Sequence, residues 1–227
     1  MMSIEENLKQ IRSTLPSGVQ LVAVSKTKSN EDIMEAYNAG QRIFGENKVQ
    51  ELVQKWESLP KDIEWHFIGH LQSNKVKYIS SFIAMVHAVD SLKILKTINE
   101  EGKRSGRKIP CLLQFHIASE ESKFGFLPDE ADNLLSQKEL NELQNVLFCG
   151  VMGMATFTED TGLINREFST LCKLFQKLKE TFFSDNVDFR EISMGMSDDY
   201  LLAIENGSTM VRIGSTIFGQ RYYIGKQ

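Results

Sequence analysis

A lysine follows a short apolar run near the start of the sequence, where it could act as a nucleophile. The run is Val22-Ala23-Val24, and Lys26 lies two residues beyond it. If the run is a β-strand, Lys26 points to the same side as the two valines. A lysine amine that is desolvated and close to other cations has a lowered pKa and attacks carbonyl carbons to form a Schiff base. Position alone allows a solvated strand-end lysine equally well, and Lys28 and Lys123 are further candidates.

Two turns near the C-terminus have the composition of a phosphate-binding site. They read Ser193-Met194-Gly195-Met196-Ser197-Asp198 and Ile213-Gly214-Ser215. Glycines permit close approach of the backbone and serine hydroxyls donate hydrogen bonds, so the candidate phosphate ligands are Ser197, Gly214 and Ser215. We also expect Ser197 to cap a helix that starts at Asp198. The alternative interpretation is two ordinary turns with a capping serine.

An arginine lies inside an apolar run just before the second of these turns. The run is Met210-Val211-Arg212-Ile213, and an unpaired charge at such a position would be costly. Alternation along a strand places Arg212 on the same side as Met210 and Gly214, next to the candidate phosphate ligands. Arg212 could therefore meet an acceptor atom on a bound ligand, or form a buried structural ion pair.

A reactive lysine, two phosphate-binding turns and an arginine aimed at a ring acceptor match the chemistry of pyridoxal 5'-phosphate. Its aldehyde, phosphate and pyridine nitrogen need these three partners. An arginine beside the pyridine nitrogen disfavours protonation of that nitrogen, because like charges repel. The ring then becomes a weaker electron sink than one paired with aspartate. The residues therefore predict a cofactor used for mild chemistry or simple carriage.

The elements that position these residues alternate between strands and helices along the chain. Eight short apolar runs rich in β-branched residues predict strands, and amphipathic segments between them predict helices. A further helix over residues 4–15, capped by Ser3, precedes the first strand. The predicted strands are 19–24, 42–44, 64–68, 82–87, 110–117, 146–151, 189–192 and 210–213, and the later helices 31–39, 48–59, 92–104, 128–135, 166–182 and 198–206.

Eight β-α units within 227 residues predict one (β/α)8 barrel domain over residues 1–227, with an extra N-terminal helix. The alternative, an open doubly wound sheet with a nucleotide site, lacks a GxGxxG motif after the first strand, where the chain reads Ser25-Lys26-Thr27-Lys28. In a barrel, ligand groups gather where the strands end, and the loops after strands seven and eight commonly bind phosphate together. The candidate residues should therefore meet at one mouth of the barrel.

The four histidines offer a rival interpretation, a metal site. They fall on or just beyond the third, fourth and fifth predicted strands, near two carboxylates. A metal site would leave the two phosphate-binding turns unexplained, so we predict none, and we interpret the histidines as hydrogen-bonding groups of the barrel mouth. The residues concerned are His66, His70, His87 and His116, with Glu46 and Asp90 as the carboxylates.

Composition restricts the partners. Twenty-six Lys and Arg against thirty Asp and Glu give a net charge of -4, without the basic field typical of nucleic-acid-binding proteins. No run of about 18 apolar residues predicts a membrane span. The three cysteines have no CxxC spacing and lie in apolar stretches, which predicts buried thiols rather than disulfides. We expect a cytoplasmic protein without nucleic-acid or membrane partners.

Several longer motifs are distributed along nearly the whole sequence. They are Ala23-Val24-Ser25-Lys26-Thr27, Phe44-Gly45-Glu46-Asn47, Trp65-His66-Phe67-Ile68-Gly69-His70-Leu71-Gln72-Ser73-Asn74-Lys75, Glu120-Glu121-Ser122-Lys123-Phe124-Gly125, Ser193-Met194-Gly195-Met196-Ser197-Asp198-Asp199 and Gly207-Ser208-Thr209-Met210-Val211-Arg212-Ile213-Gly214-Ser215. Through these motifs the sequence resembles the family of pyridoxal phosphate homeostasis proteins, single-barrel relatives of the alanine racemase N-terminal domain.

The resemblance implies a fold-type III barrel that binds pyridoxal 5'-phosphate. It makes Lys26 the lysine of the internal aldimine, places Asn47 beside the cofactor ring and Arg212 at its nitrogen, and assigns the phosphate to Ser197, Gly214 and Ser215. It also implies a carrier or buffer of vitamin B6 that supplies apo-enzymes, without settled enzymatic activity. The chain departs from the family at His116, where we expect Asn, and at Thr156-Phe157-Thr158, where we expect a proline-bearing turn.

The main alternative is a racemase-like enzyme of low activity. Alanine racemases resemble this barrel but add a C-terminal β-domain with a tyrosine base. The sequence ends at Gln227, and we interpret Tyr222 and Tyr223 as packing residues, so no second base is evident. Without that domain we expect a monomer. A further alternative is a cofactor-free aldolase in which Lys26 binds the substrate directly.

Overall fold

Eight parallel strands form a closed barrel in the computed structural model, which describes residues 2–120 and 124–219. The strands are β1 (Gln20–Val24), β2 (Ile43–Glu46), β3 (Glu64–Phe67), β4 (Met85–Val89), β5 (Ile109–Gln114), β6 (Val146–Met152), β7 (Glu191–Ser193) and β8 (Met210–Ile213). Each strand pairs with the next along the chain, and β8 closes the barrel on β1 with Arg212 opposite Val22. The prediction of a (β/α)8 barrel is confirmed.

Helices connect the strands and pack on the barrel. The predicted N-terminal helix is present as α1 (Ile4–Thr14), which begins at a capping box between Ser3 and Glu6 and buries Leu8 and Ile11. The remaining helices are α2 (Asn30–Asn38), α3 (Val49–Ser58), α4 (Leu92–Ser105), α5 (Ala131–Leu135), α6 (Thr161–Thr181), α7 (Tyr200–Glu205) and α8 (Ser215–Phe218), with 3-10 segments at Ser73–Tyr78, Pro128–Glu130 and Lys138–Glu142.

Local hydrogen bonds move the ends of two predicted elements. α6 starts at Thr161 rather than at residue 166, because the Asp160 side chain accepts the Leu163 N–H at 3.0 Å and caps the helix there. β4 starts at Met85 rather than at residue 82, because the N–H groups of residues 82 and 83 both donate to the carbonyl of Ile79 and close a turn. The order of the elements is unchanged.

The prediction that Ser197 caps a helix starting at Asp198 is wrong. α7 begins at Tyr200, and the residue at its N-cap position is Asp199. The Asp199 Oδ1 accepts the N–H of Met196 at 2.5 Å, so the carboxylate closes the turn before the helix. The Ser197 hydroxyl is thereby left for a different partner, described below.

Buried apolar side chains hold the strand ends in place. The larger cluster joins barrel strands to the helices around them. It includes Phe44 and Trp65, whose ring centroids are 5.9 Å apart, and Leu52 of α3. A smaller cluster contains Leu112 and Met152, from the paired strands β5 and β6. Full burial of one such large side chain contributes about 1.5–3 kcal/mol. The barrel is therefore a rigid support for the loops at its mouth.

The cysteines are free thiols. Cys111 and Cys149 are buried, as predicted, whereas Cys172 is half-buried. Burial raises the pKa of Cys149 to about 11 and that of Cys111 well above its ordinary value, so both stay protonated and unreactive. Among the helices in the described part of the chain, none has the length and apolarity to cross a bilayer.

Candidate functional site

A cavity of about 300 Å³ opens where the strands end. The loops after β1, β2, β7 and β8 line it, together with Ile68, Met154 and Phe157 from other strand ends. The structure brings all six sequence-predicted residues to this one cavity. They are Lys26, Asn47, Ser197, Arg212, Gly214 and Ser215.

Lys26 lies between two backbone anchors. On one side, Ser25 donates its N–H to the Gly45 carbonyl at 3.0 Å and its hydroxyl to Glu46 Oε1 at 2.6 Å. On the other side, Thr27 donates its N–H to Glu51 Oε1 at 2.6 Å, with a φ of 65°. Such a left-handed conformation is unusual for a β-branched residue and persists only where its surroundings impose it. The backbone position of Lys26 is therefore fixed.

A buried ion cluster behind the β1 loop supplies these anchors. The ammonium group of Lys55 on α3 donates to Glu46 Oε1 at 2.8 Å, to Glu51 Oε1 at 2.6 Å and to the Ser25 carbonyl at 2.8 Å. Burial raises the pKa of Glu46, although the nearby Lys55 charge opposes the shift. Sequence reasoning missed Lys55, for which the only local signal is its i,i+4 spacing from Glu51.

The neighbouring lysine has a structural contact of its own. Lys28 Nζ donates to the carbonyls of Phe218 at 2.9 Å and Gly219 at 3.1 Å, and so ties the end of α8 to the β1 loop. Both Lys26 and Lys28 line the cavity, and these contacts give Lys28 a structural role. The third candidate, Lys123, lies outside the described residues.

Hydrogen bonds join the two predicted phosphate-binding turns. Ser197 Oγ accepts the Gly214 N–H at 3.3 Å, which leaves its own O–H available to donate into the cavity. Gly195 has a φ of +92°, and a Cβ there would lie 2.6 Å from the Cβ of Ala203, so only glycine fits. Ser215 begins α8, whose first N–H groups have no intrahelical partner. The turns combine hydroxyl and backbone donors.

Asn47 directly follows β2 and lines the cavity. The chain leaving β3 passes very close to it: a Cβ on Gly69 would lie 2.5 Å from the Asn47 carbonyl oxygen. Glycine at position 69 therefore permits the close approach that holds Asn47 at the mouth. The family resemblance indicated this residue, whereas the reasoning from residue spacing did not.

Arg212 is buried at the cavity. Its Nη1 donates to Ser193 Oγ at 2.6 Å and its Nη2 to the Gly153 carbonyl at 3.1 Å. Burial lowers its pKa to about 10, with the charge of Asp199 acting in the opposite direction, so the guanidinium stays charged at neutral pH. Within the described ranges its hydrogen-bond partners are neutral oxygens, which disfavours the alternative of a structural ion pair.

The histidines divide into a buried pair and two residues nearer the surface. His66 Nδ1 lies 2.9 Å from His87 Nε2, inside the barrel. His70 contacts Asp90 at 2.7 Å at the exposed rim, and His116 is half-buried beyond β5. Over residues 2–120 and 124–219, no three potential ligands group as a metal site would need.

The exit of β6, where the sequence departs from the expected proline-bearing turn, is tied to α6. Glu167 Oε2 accepts the Thr156 N–H at 2.7 Å, and Glu167 Oε1 accepts the Ser119 N–H at 2.8 Å. Burial would raise the pKa of Glu167, but these bonds lower it below its ordinary value. The adjacent Phe157 lines the cavity and is 84% exposed, so an aromatic ring stands at the rim.

Comparison with known proteins identifies the family. The profile of the alanine racemase N-terminal domain matches residues 1–222. The chain belongs to the alanine racemase N-terminal domain family. Within this family it is 40% identical to a pyridoxal phosphate homeostasis protein of Pasteurella multocida, over 98% of this chain and 99% of that one. It is 41% identical to the human pyridoxal phosphate homeostasis protein, over 91% of this chain and 78% of that one.

Several solved structures share the barrel. PipY of Synechococcus elongatus without PLP superposes with a TM-score of 0.89 at 35% identity, over 96% of this chain and 100% of that one. PipY with PLP bound gives 0.83 at 34% identity, with the same coverage. Alanine racemase of E. faecalis gives 0.76 at 17% identity, over 96% of this chain and 58% of that one, a likeness of fold alone.

Proposed function

We propose that the protein binds pyridoxal 5'-phosphate at the barrel mouth and acts as an intracellular carrier or buffer of this cofactor. The observation that carries the proposal is the convergence of an amine, a guanidinium and two phosphate-binding turns on one cavity of about 300 Å³. Full-length relatives named pyridoxal phosphate homeostasis protein and the PLP-bound PipY structure support it.

The residues present fit the cofactor. Lys26 offers the primary amine for its aldehyde, and Arg212 offers donors for its ring nitrogen. The hydroxyls of Ser197 and Ser215 offer uncharged donors for its phosphate, and glycine at position 214, whose N–H donates to Ser197 Oγ, would let the backbone come close to it. Asn47 would lie beside the ring. These assignments rest on the cavity lining and on the family resemblance.

When bound, the cofactor supplies an aldehyde that a primary amine captures reversibly, with loss of water. Arg212 keeps its positive charge at neutral pH because its pKa lies at about 10. A cation held against a pyridine nitrogen disfavours protonation of that nitrogen, and an unprotonated ring withdraws electrons poorly. The site therefore suits storage and release better than bond cleavage.

We further propose that residues 1–227 form one domain, monomeric and cytoplasmic, and that apo-enzymes requiring the cofactor are its recipients. The exposed Phe157 ring at the rim of the cavity supports exchange with solvent or with a recipient. The alternative, a racemase-like enzyme of low activity, predicts solvent exchange of the amino-acid α-hydrogen instead.

The first experiment is a visible absorbance titration with pyridoxal 5'-phosphate, followed by borohydride reduction and peptide mass mapping. We expect a yellow band, with the reduced adduct on Lys26. Lys28→Met is the matched control and should keep the adduct, whereas Lys26→Ala should lose it. A wild-type protein without the band at any cofactor concentration would overturn the proposal. Transfer to an apo-enzyme, compared with α-hydrogen exchange of alanine in deuterated water, then separates a carrier from a racemase.

A further inference from the structure

A line of polar side chains crosses the barrel interior from the cavity. Arg212 Nη1 donates to Ser193 Oγ at 2.6 Å, and the same oxygen lies 3.0 Å from His87 Nδ1. His87 Nε2 lies 2.9 Å from His66 Nδ1. All four side chains are buried. We call these residues the interior chain.

The interior chain spans strands that are not neighbours. Ser193 ends β7 and His87 lies on β4, so the hydrogen bond between them passes through the middle of the barrel rather than along the sheet. Barrel interiors are usually filled by layers of branched apolar side chains. A polar group in such a place is costly unless it is hydrogen-bonded, so each member depends on the next.

Arg212 sets the direction of every hydrogen bond in the interior chain. A guanidinium only donates, so Ser193 Oγ accepts from it. Among the described residues His87 Nδ1 is then the acceptor open to the Ser193 O–H. His87 must therefore carry its proton on Nε2 and donate to His66 Nδ1, which leaves the proton of His66 on Nε2 as well. Burial lowers the pKa of His66 to about 3 and that of His87 well below its ordinary value, in agreement with two neutral rings.

We propose that Ser193, His87 and His66 are positioning residues that hold the Arg212 guanidinium toward the ring nitrogen of the bound cofactor. The inference rests on the proposed function. The hydrogen-bond acceptors of Arg212 are neutral, and its positive charge, which the Asp199 carboxylate offsets in part, acts on the ligand side. Because His87 Nδ1 accepts the hydrogen bond from the Ser193 O–H, the Ser193 oxygen presents a lone pair to the guanidinium at a fixed angle.

The first test needs no cofactor. Long-range nitrogen–proton NMR of the protein labelled at histidine distinguishes the two tautomers of each ring. We expect His66 and His87 to be neutral with the proton on Nε2. His70 is the internal reference, since its Nδ1 contacts the Asp90 carboxylate and so carries a proton. A proton on Nδ1 of His87 would reverse the direction of the hydrogen bonds in the interior chain. That result would overturn the inference, whatever the protein binds.

The second test measures the cofactor site itself. Removing an acceptor from a charged donor weakens binding by roughly 10-fold to 100-fold, so Ser193→Ala should bind pyridoxal 5'-phosphate that much less tightly. With ring-labelled cofactor, its pyridine nitrogen resonance should also move. His87→Leu should act likewise, whereas His87→Gln, whose amide oxygen can accept a hydrogen bond from the Ser193 O–H, should restore part of the affinity.

Ser208→Ala is the matched control. Ser208 is also a buried serine of this region, but its hydroxyl donates only to backbone carbonyls, among them Met194 at 2.8 Å and Met210 at 3.1 Å. The Ser208→Ala variant should be less stable than the wild type, but its affinity for pyridoxal 5'-phosphate and the pyridine nitrogen resonance should be unchanged. Equal affinity and an unmoved resonance in Ser193→Ala would refute the positioning role. If the wild type binds no cofactor, the role toward that cofactor fails together with the proposed function, while the tautomers still report whether the interior chain exists.

Discussion

The backbone N–H of Thr27 donates to the carboxylate of Glu51 at 2.6 Å, across 24 residues of sequence, and Thr27 has a φ of 65°. A left-handed backbone at a non-glycine residue raises the energy by about 1–3 kcal/mol. Here it follows directly on Lys26, the candidate nucleophile. Strain next to a functional side chain, held by a bond from a separate helix, indicates that α3 orients the β1 loop.

Removing the Glu51 carboxylate should release this loop. We expect Glu51→Ala to lower the free energy of unfolding by about 1–3 kcal/mol. The substitution removes the charged acceptor of the Thr27 N–H and one hydrogen bond of Lys55. Attachment of pyridoxal 5'-phosphate to Lys26 should slow at the same time, as measured by stopped-flow absorbance. Glu57→Ala, which removes an exposed glutamate of the same helix, is the control. Identical attachment rates in the two variants would contradict the proposed orienting role.

When the Lys55–Glu46 pair is broken, the resulting loss of folding stability should depend on pH. Lys55→Met leaves the buried Glu46 without its counter-ion, and we expect a loss of about 3–5 kcal/mol at neutral pH. Burial already raises the folded-state pKa of Glu46 above 4.5, so its ionisation costs stability as pH rises through and above that value. The stability that the variant loses relative to the wild type should therefore be smaller near pH 4 than at neutral pH.

A double variant checks the cause. Glu46→Gln in the Lys55→Met background removes the stranded charge and should restore stability at neutral pH, as measured by urea denaturation. Two outcomes would point to a packing defect instead. In one, the double variant is no more stable than Lys55→Met at neutral pH. In the other, Lys55→Met loses as much stability relative to the wild type at pH 4 as at pH 7.

Gly195 should be irreplaceable, and the chain contains a matched comparison. Gly195 and Gly18 have φ values of +92° and +94°, but a Cβ at Gly195 meets Ala203 at 2.6 Å whereas one at Gly18 meets nothing within 4 Å. Both alanine substitutions strain the backbone, and Gly195→Ala also overpacks the turn. We expect Gly195→Ala to be about 1–3 kcal/mol more destabilising than Gly18→Ala, as measured by thermal unfolding. Only Gly195→Ala should weaken cofactor binding, and equal losses for both variants would show that the Ala203 contact relaxes freely.

Acid should destabilise the protein through its buried imidazoles. The pKa of His66 falls from an ordinary 6.5 to about 3 on folding, because burial penalises the charged ring. The unfolded chain then binds more protons, so stability is lost as pH falls from about 6.5 toward 3. His66→Gln should flatten this slope in denaturation curves taken between these pH values. His70→Gln, which removes an exposed histidine, is the comparison, and a slope unchanged in His66→Gln would contradict the assignment.

Local patterns in the sequence predicted the eight strands and their order, because alternation and turn residues act over a few neighbours. They also indicated which side chains stand at strand ends, and Lys26, Arg212, Ser197, Gly214 and Ser215 do line one cavity. The predicted Ser197 cap failed because the choice between Ser197 and Asp199 depends on the Gly195 turn, which a single capping preference does not describe.

The partners of those side chains depend on tertiary packing. Thr27 meets Glu51 across 24 residues of sequence, because α3 packs beside the β1 loop. His87 meets Ser193 across 106 residues, because strands far apart in the chain enclose a common interior. The sequence by itself determined which groups face the mouth. The tertiary structure alone decided which buried hydrogen bonds hold Lys26 and Arg212 there, since these bonds exist only after water has been excluded from the barrel.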